Sequence, residues 1–256
     1  MKLGESKLGE KTPQFGKARW GGPLVSVIIP NKDCPYLKEA IDSVMAQTYK
    51  SIEIIIVLDN CTNQTKDDVL KMIEGWKNRP YQIIVKDDKN PSIPSSRNAG
   101  LEKIEGDYIS FLSADDIWYP KFLEEMVGYM EAVKADIVYC NYDRINAHGN
   151  WIGDTQEHHF TRIEDFIIHL WERCCVNLSA CVIKPHVFGK TGYFDNEIKL
   201  GEDYLFYLKA ARWFKFVHFQ KHLAAYRIHG GQSTNPEENA KWDKILKKKA
   251  QVYWSE

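Results

Sequence analysis

The chain has 256 residues and nearly balanced charge, 34 Lys and Arg against 35 Asp and Glu, for a formal net charge of −1. That balance argues against a general nucleic-acid binder, which carries a basic excess, and the length fits one large domain or two small interlocked ones. No apolar run approaches the roughly 20 residues that span a bilayer, the N-terminus lacks the apolar core of a secretory signal, and the six cysteines form no C-x-x-C pair of the kind that holds zinc.

A cytoplasmic setting with reduced thiols is therefore expected. Residues 1–22 are polar and read as a flexible arm. Leu24-Val25-Ser26-Val27-Ile28-Ile29 is a β-rich run that Pro30 should stop. Pro35 suits a first helical turn, and Leu37, Ile41, Val44 and Met45 recur behind it at helical spacing. Ile54-Ile55-Ile56-Val57-Leu58 is apolar on both faces, as in a buried parallel sheet. Thr65 can cap a second helix, with Asp67 and Asp68 in its first turn and Val69, Met72, Ile73 and Trp76 as its stripe. A strand over 81–85, a helix over 95–104 and a strand over 107–112 complete a β-α-β-α-β-α-β order, the mark of a doubly wound α/β sheet. Such sheets bind ligands beyond the carboxyl ends of their strands. Asn31-Lys32-Asp33, Asp59-Asn60-Cys61-Thr62 and Ser113-Ala114-Asp115-Asp116 fall at such ends.

Beyond Asp116 the pattern changes. Of the 32 Phe, Trp and Tyr residues, 26 follow residue 100. Pro120 should open a helix carrying Leu123, Met126, Val127, Met130 and Val133. Then come a strand over 137–142, a polar connection over 143–160, a helix near 162–172 and a strand near 179–184. A helix follows Glu202-Asp203, two strands cover 215–219 and 223–227, and a tail over 236–252 has weak helical spacing.

Several residues in this frame are candidates for chemistry. Asp115-Asp116 is an acidic pair at a strand end, suited to a hard divalent cation or simply to capping the next helix. Glu202-Asp203 supplies either a general base or acids that favour a helix N-terminus. Arg97, near a helix start, can pair with a phosphate, hold a carboxylate or sit at the surface. His229 follows a strand and precedes Gly230-Gly231, where it can ligate a metal, touch a diphosphate or do neither. Trp118 and Tyr119, just past Asp116, are the leading candidates for an aromatic face that packs on a sugar ring. Tyr142, Trp151 and Trp171 are further candidates, although most of these aromatics belong in a core.

The order of these segments resembles a family-2 glycosyltransferase. Val25-Ser26-Val27-Ile28-Ile29-Pro30-Asn31 resembles the family's opening strand, and Ala40-Ile41-Asp42-Ser43-Val44-Met45-Ala46-Gln47-Thr48-Tyr49 its first helix. Ser96-Arg97-Asn98-Ala99-Gly100-Leu101 is similar to the A-R-N-x-G motif, and Ser113-Ala114-Asp115-Asp116 to the D-x-D motif. Gly192-Tyr193-Phe194-Asp195, Gly201-Glu202-Asp203-Tyr204 and Ala225-Tyr226-Arg227-Ile228-His229-Gly230-Gly231-Gln232-Ser233 resemble its later G-x-F-D, E-D and Y-R-x-H-x-x-S segments.

The resemblance implies an α/β fold of the GT-A kind, a Rossmann-like mixed central sheet flanked by helices with a C-terminal acceptor-binding portion. It implies a nucleotide-sugar-binding half over 23–116, an acceptor and catalytic-base half over 117–234 and a helical tail over 235–256. It implies Asp203 as the base of an inverting transfer. Pro30, Asn31, Asp59, Arg97, Asp115 and Glu202 would then hold the nucleotide sugar, and Asp115 with His229 would hold Mn²⁺ or Mg²⁺. The partners implied are a nucleotide sugar donor, with UDP or dTDP favoured by Asp59, and a carbohydrate or glycolipid acceptor, as in polysaccharide biosynthesis. Two positions depart from the family pattern: Ser113 stands where D-x-D begins with Asp, and Leu58 where the second strand often ends in a first Asp. A sugar nucleotidyltransferase is the rival enzyme, but Pro30-Asn31-Lys32-Asp33-Cys34-Pro35 lacks the glycines of its phosphate loop. A non-catalytic nucleotide- or carbohydrate-binding module is the rival of another class. Lys247-Lys248-Lys249 offers either a peripheral membrane contact or a solvated helix face.

Overall fold

A computed structural model describes residues 21–76, 79–89, 91–155, 159–232 and 236–255. The expected arm over 1–22 lies almost wholly outside the described residues. Strands β1 (Val25–Asn31), β2 (Ile52–Asp59), β3 (Tyr81–Lys86) and β4 (Tyr108–Phe111) are parallel, alternating with helices α1 (Leu37–Met45), α2 (Lys66–Met72) and α3 (Ile93–Leu101). All eight residues of β2 are buried, because helices cover both faces of the sheet. Thr65 and Asp68 form a reciprocal capping box at the start of α2. Gly100 lets α3 press on β1, since a Cβ there would come within 2.5 Å of the Ile28 side chain.

The chain continues with β5 (Ile117–Trp118), α4 (Phe122–Val133), β6 (Ile137–Asn146), β7 (Trp151–Thr155), α5 (Ile163–Glu172) and β8 (Cys181–Ile183). Helices α6 (Pro185–Thr191) and α7 (Glu202–Ala210), the long strand β9 (Phe216–Ile228) and helix α8 (Pro236–Ser255) follow. One sheet joins all nine strands in the order β3-β2-β1-β4-β8-β6-β9-β5, with β7 paired to the outer end of β6. One core lies under α1, α2 and α4, and a second under α3 and α5 to α8. Among the described residues no helix is long and apolar enough to cross a membrane.

The structure departs from the sequence expectations at definite places. Pro30 does not stop β1 but pairs in register with Val57. It is tolerated because β4 pairs β1 only as far as Ile28, so its missing N–H falls where one neighbour has gone. The expected connection over 143–160 contains a hairpin, in which Tyr142–Ile145 pair with Trp151–Thr155. The two strands expected over 215–227 are one, with Gln220 and Lys221 bulging between the partners of Cys140 and Asn141. Of the three consecutive lysines in α8, Lys247 pairs with Asp243 and Lys249 with Asp195 and Glu197, while the exposed Lys248 has no ion pair among the described residues.

Candidate active site

The loop after β4 meets the end of β9 beyond the edge of the sheet. The Oδ2 of Asp115 stands 3.1 Å from Nε2 of His229. The Gly231 N–H approaches the other ring nitrogen of His229, Nδ1, at 3.2 Å. Asp116 turns the other way, is buried, and accepts the Arg227 backbone N–H at 3.0 Å. Burial, reinforced by the charge of Asp115, pushes its carboxyl up to about 8, so it sits protonated in neutral solution. Ser113, the substituted first position, is tied at its hydroxyl and its N–H to the Ser179 hydroxyl.

Arg227 holds this corner together. Its side chain is fully buried and spends its donors in four directions. Nε reaches the Asp115 carbonyl at 2.9 Å, Nη1 the Asn146 and Ala147 carbonyls at 3.4 Å, and Nη2 the Glu39 carboxylate at 2.6 Å. Tyr36 closes the remaining face, with the guanidinium 4.3 Å from its ring centre. The Arg227 carbonyl accepts from the Gln232 side-chain amide, whose Oε1 receives the His229 N–H at 3.3 Å. Arg227, Glu39, Tyr36 and Ser179 were not among the sequence candidates, although Arg227 lies inside the Y-R-x-H segment. Nothing in the sequence points to Ser179.

The opposite wall comes from α3 and α7. Arg97, near the middle of α3, ion-pairs with Glu202, the first residue of α7, and both are buried. Burial lowers the Arg97 pKa, while the charges of Asp203, Asp115 and Asp116 act to raise it, so all three acids lie within electrostatic reach of this one guanidinium. Asp203 accepts the Tyr204 N–H at 2.8 Å. At the end of β2, Asp59 accepts from the Ser96 hydroxyl through Oδ2, while its buried Oδ1 has no hydrogen-bond partner among the described residues. Asn31 donates to Gln64 at 2.7 Å and accepts from the Cys34 N–H at 3.1 Å, and Pro30 beside it is half-buried.

The structure thus sets Asp115 against His229 and Arg97 against Glu202, with Asp203, Asp115 and Asp116 all within electrostatic reach of Arg97, while Pro30, Asn31 and Asp59 lie at the ends of β1 and β2. It does not bring Trp118 there. That ring is buried, stacks on Phe122 at 4.4 Å and donates its N–H to the Ser179 carbonyl at 2.5 Å, so neither face is open to a sugar. The Tyr119 hydroxyl is also engaged, donating to Asp143 at 2.5 Å, and Asp143 meets His222 at 3.0 Å. Trp171 packs against Trp254. Of the aromatic candidates only Trp151 is widely exposed, at 65%.

A mixed sheet between two helical layers, with acids and cations gathered beyond its strand ends, is the arrangement of the GT-A fold. TarS of S. aureus in complex with UDP-GlcNAc superposes with a TM-score of 0.69 at 18% identity, covering 87% of this chain and 65% of that one. The mannosyltransferase PcManGT of Pyrobaculum calidifontis, in complex with GDP-Man and Mn²⁺, gives 0.63 at 14% identity, covering 90% and 74%. In sequence, an uncharacterized glycosyltransferase of Rickettsia typhi is 32% identical over 243 residues, 88% of this chain and 72% of that protein. One from Methanocaldococcus jannaschii is 30% identical, covering 91% and 78%. The family model "Glycosyl transferase family 2" matches residues 26–194, and the chain belongs to that family.

Proposed function

We propose that the protein is an inverting glycosyltransferase that moves a sugar from a UDP- or dTDP-sugar to a hydroxyl of a saccharide or related acceptor, with Asp203 as the base. The observation that carries this reading is the division of labour in the acidic pair at the head of α7. Glu202 is committed to Arg97. Asp203 keeps one carboxylate oxygen without a protein hydrogen bond among the described residues, while the Tyr204 N–H fixes the other. A carboxylate oriented by one oxygen and open at the other suits proton removal from an incoming hydroxyl. Attack in a single displacement inverts the anomeric carbon.

The donor half spans 23–116. The orphaned Oδ1 of Asp59 is an acceptor in want of a donor, and the imide N–H of uracil or thymine supplies one. The UDP-GlcNAc complex of TarS lends the UDP reading support. Arg97, held by Glu202, faces the acidic loop and can balance charge on a departing diphosphate.

The donor set fits a divalent ion. Asp115 Oδ2 and His229 Nε2 stand 3.1 Å apart, close to the ~3 Å edge between neighbouring ligands around an ion with bonds of about 2.1 Å. No three His, Cys, Asp or Glu side chains gather as a metal cluster among the described residues, so Asp115 and His229 would be the protein's whole share. When bound, Mn²⁺ or Mg²⁺ supplies Lewis-acid stabilisation of the diphosphate, and the Mn²⁺ complex of PcManGT favours such a requirement.

A thermal-shift screen of UDP-, dTDP- and GDP-sugars with and without Mn²⁺ tests the reading. Stabilisation by a UDP- or dTDP-sugar that strengthens with Mn²⁺ and disappears in Asp115→Ala is expected. No stabilisation by any nucleotide sugar refutes it.

A further inference from the structure

The transfer reading leaves the acceptor without a platform, since Trp118 is buried and the Tyr119 hydroxyl is engaged. The hairpin of β6 and β7 offers one. Strands β9 and β6 run parallel to a common end, where Asn146 pairs with Ile228, the residue before His229. Trp151 begins β7 directly across from Ile145. It therefore stands at the same end of the sheet as His229, two strand spacings or about 10 Å to the side.

The hairpin is tied to the cleft by more than position. Arg227 bonds the Asn146 and Ala147 carbonyls at the hairpin's tip with the same guanidinium that holds the Asp115 carbonyl. The tip is itself ordered. The Asn146 side chain accepts the N–H groups of His148 and Asn150, and Gly149 takes a φ of +79° as it passes Arg227.

Among the described residues two tryptophans are widely exposed, Trp151 at 65% and Trp213 at 48%. Trp213 is already covered by cations, with Lys190 at 4.3 Å and Arg212 at 4.6 Å from its ring centre. Among the described residues no ring or cation lies against Trp151. Two residues along β7, Gly153 leaves room for the exposed Arg144, whose Nη2 lies 2.9 Å from where a Cβ would be. An open aromatic face beside guanidinium donors is the mix of apolar surface and a few polar groups that carbohydrate recognition needs.

We propose that the β6–β7 hairpin is the acceptor subsite of the transfer proposed above. Trp151 stacks on the apolar face of an acceptor saccharide, and Arg144 bonds its hydroxyls. The test is retention of the full-length protein on an oligosaccharide array, with UDP affinity of the wild type measured separately by calorimetry. Wild type should retain a defined set of glycans, Trp151→Ala should lose them at least tenfold, and Trp151→Phe should keep most of the signal. Trp213→Ala is the control for nonspecific adhesion by a surface tryptophan and should bind as wild type. Equal losses in Trp151→Ala and Trp213→Ala overturn the proposal, as does wild-type retention in Trp151→Ala or a wild-type protein that holds no glycan. Failure to bind UDP speaks against the donor reading alone. Because the ring is exposed, Trp151→Ala should melt with the wild type; a large drop in melting temperature would show the ring to be structural and overturn the subsite.

Discussion

Replacing Arg227 by methionine keeps most of the stem and deletes the guanidinium. The Asp115 carbonyl, bonded at 2.9 Å in a partly buried position, loses its donor. A hydrogen bond from a charged group is worth about 1.5–3 kcal/mol, and orphaning its partner costs a similar amount. The contact with Tyr36 at 4.3 Å adds about 1 kcal/mol. The Glu39 side chain is 55% exposed, so it rehydrates when its partner goes and that pair contributes under about 1 kcal/mol. Relief from burying a cation returns part of the loss, leaving a net destabilisation of about 2–4 kcal/mol. In a chain of this size that lowers Tm by roughly 5–12 °C. Urea unfolding of wild type, Arg227→Met and Glu39→Gln with a common slope reads the difference directly. The reasoning requires Glu39→Gln to cost far less than Arg227→Met. Equal costs would place the stabilisation in the ion pair rather than in the carbonyls, and an Arg227→Met protein within about 0.5 kcal/mol of wild type would refute the brace altogether.

Asp203→Asn should lower turnover by at least about a hundredfold while UDP affinity measured by calorimetry holds; transfer near the wild-type rate removes Asp203 from the role of base. Asp116 is protonated in the fold up to about pH 8, whereas in the unfolded chain it ionises near the ordinary aspartate value of 3.8. The native state therefore binds the extra proton between those values, so stability falls as pH rises through that window. Asp116→Asn should flatten that slope in chelator-treated protein, and unfolding midpoints at pH 5 and pH 8 that shift in parallel with wild type would contradict it. Gly100→Ala places a methyl group within 2.5 Å of the Ile28 side chain and should destabilise by about 1–3 kcal/mol, read from the urea midpoint.

The first four strands and three helices were legible because burial on both faces of β1 and β2 leaves uninterrupted apolar runs, while α1 and α2 keep one apolar stripe each. The later half was less so. Residues 151–155 are exposed or half-buried, so β7 carries no apolar run, and the three bulged residues of β9, Gln220, Lys221 and Leu223, interrupt its alternation and mimic a turn. In the site, Asp115, Arg97, Glu202 and His229 stand out because their residue types and order are themselves informative. Trp118 misleads because its neighbour Asp116 gives no clue to which face of the short β5 it occupies; pairing with Ala224 sends the ring into the core. Glu39 and Arg227 meet across 188 residues, a separation no local pattern encodes.

Those separations also govern when the cleft can exist. Arg97 meets Glu202 across 105 residues, and Asp115 meets His229 across 114. Contacts this distant in the chain close late, after the loops between them have been ordered. During synthesis the first four strands can pair as soon as residue 111 is available. The acids of the D-x-D-like loop then wait for β9, more than a hundred residues later, to bring Arg227 and His229. A nascent chain that stops short of β9 carries β1 to β4 already paired but no closed corner, so the corner is completed in a single late step rather than by degrees.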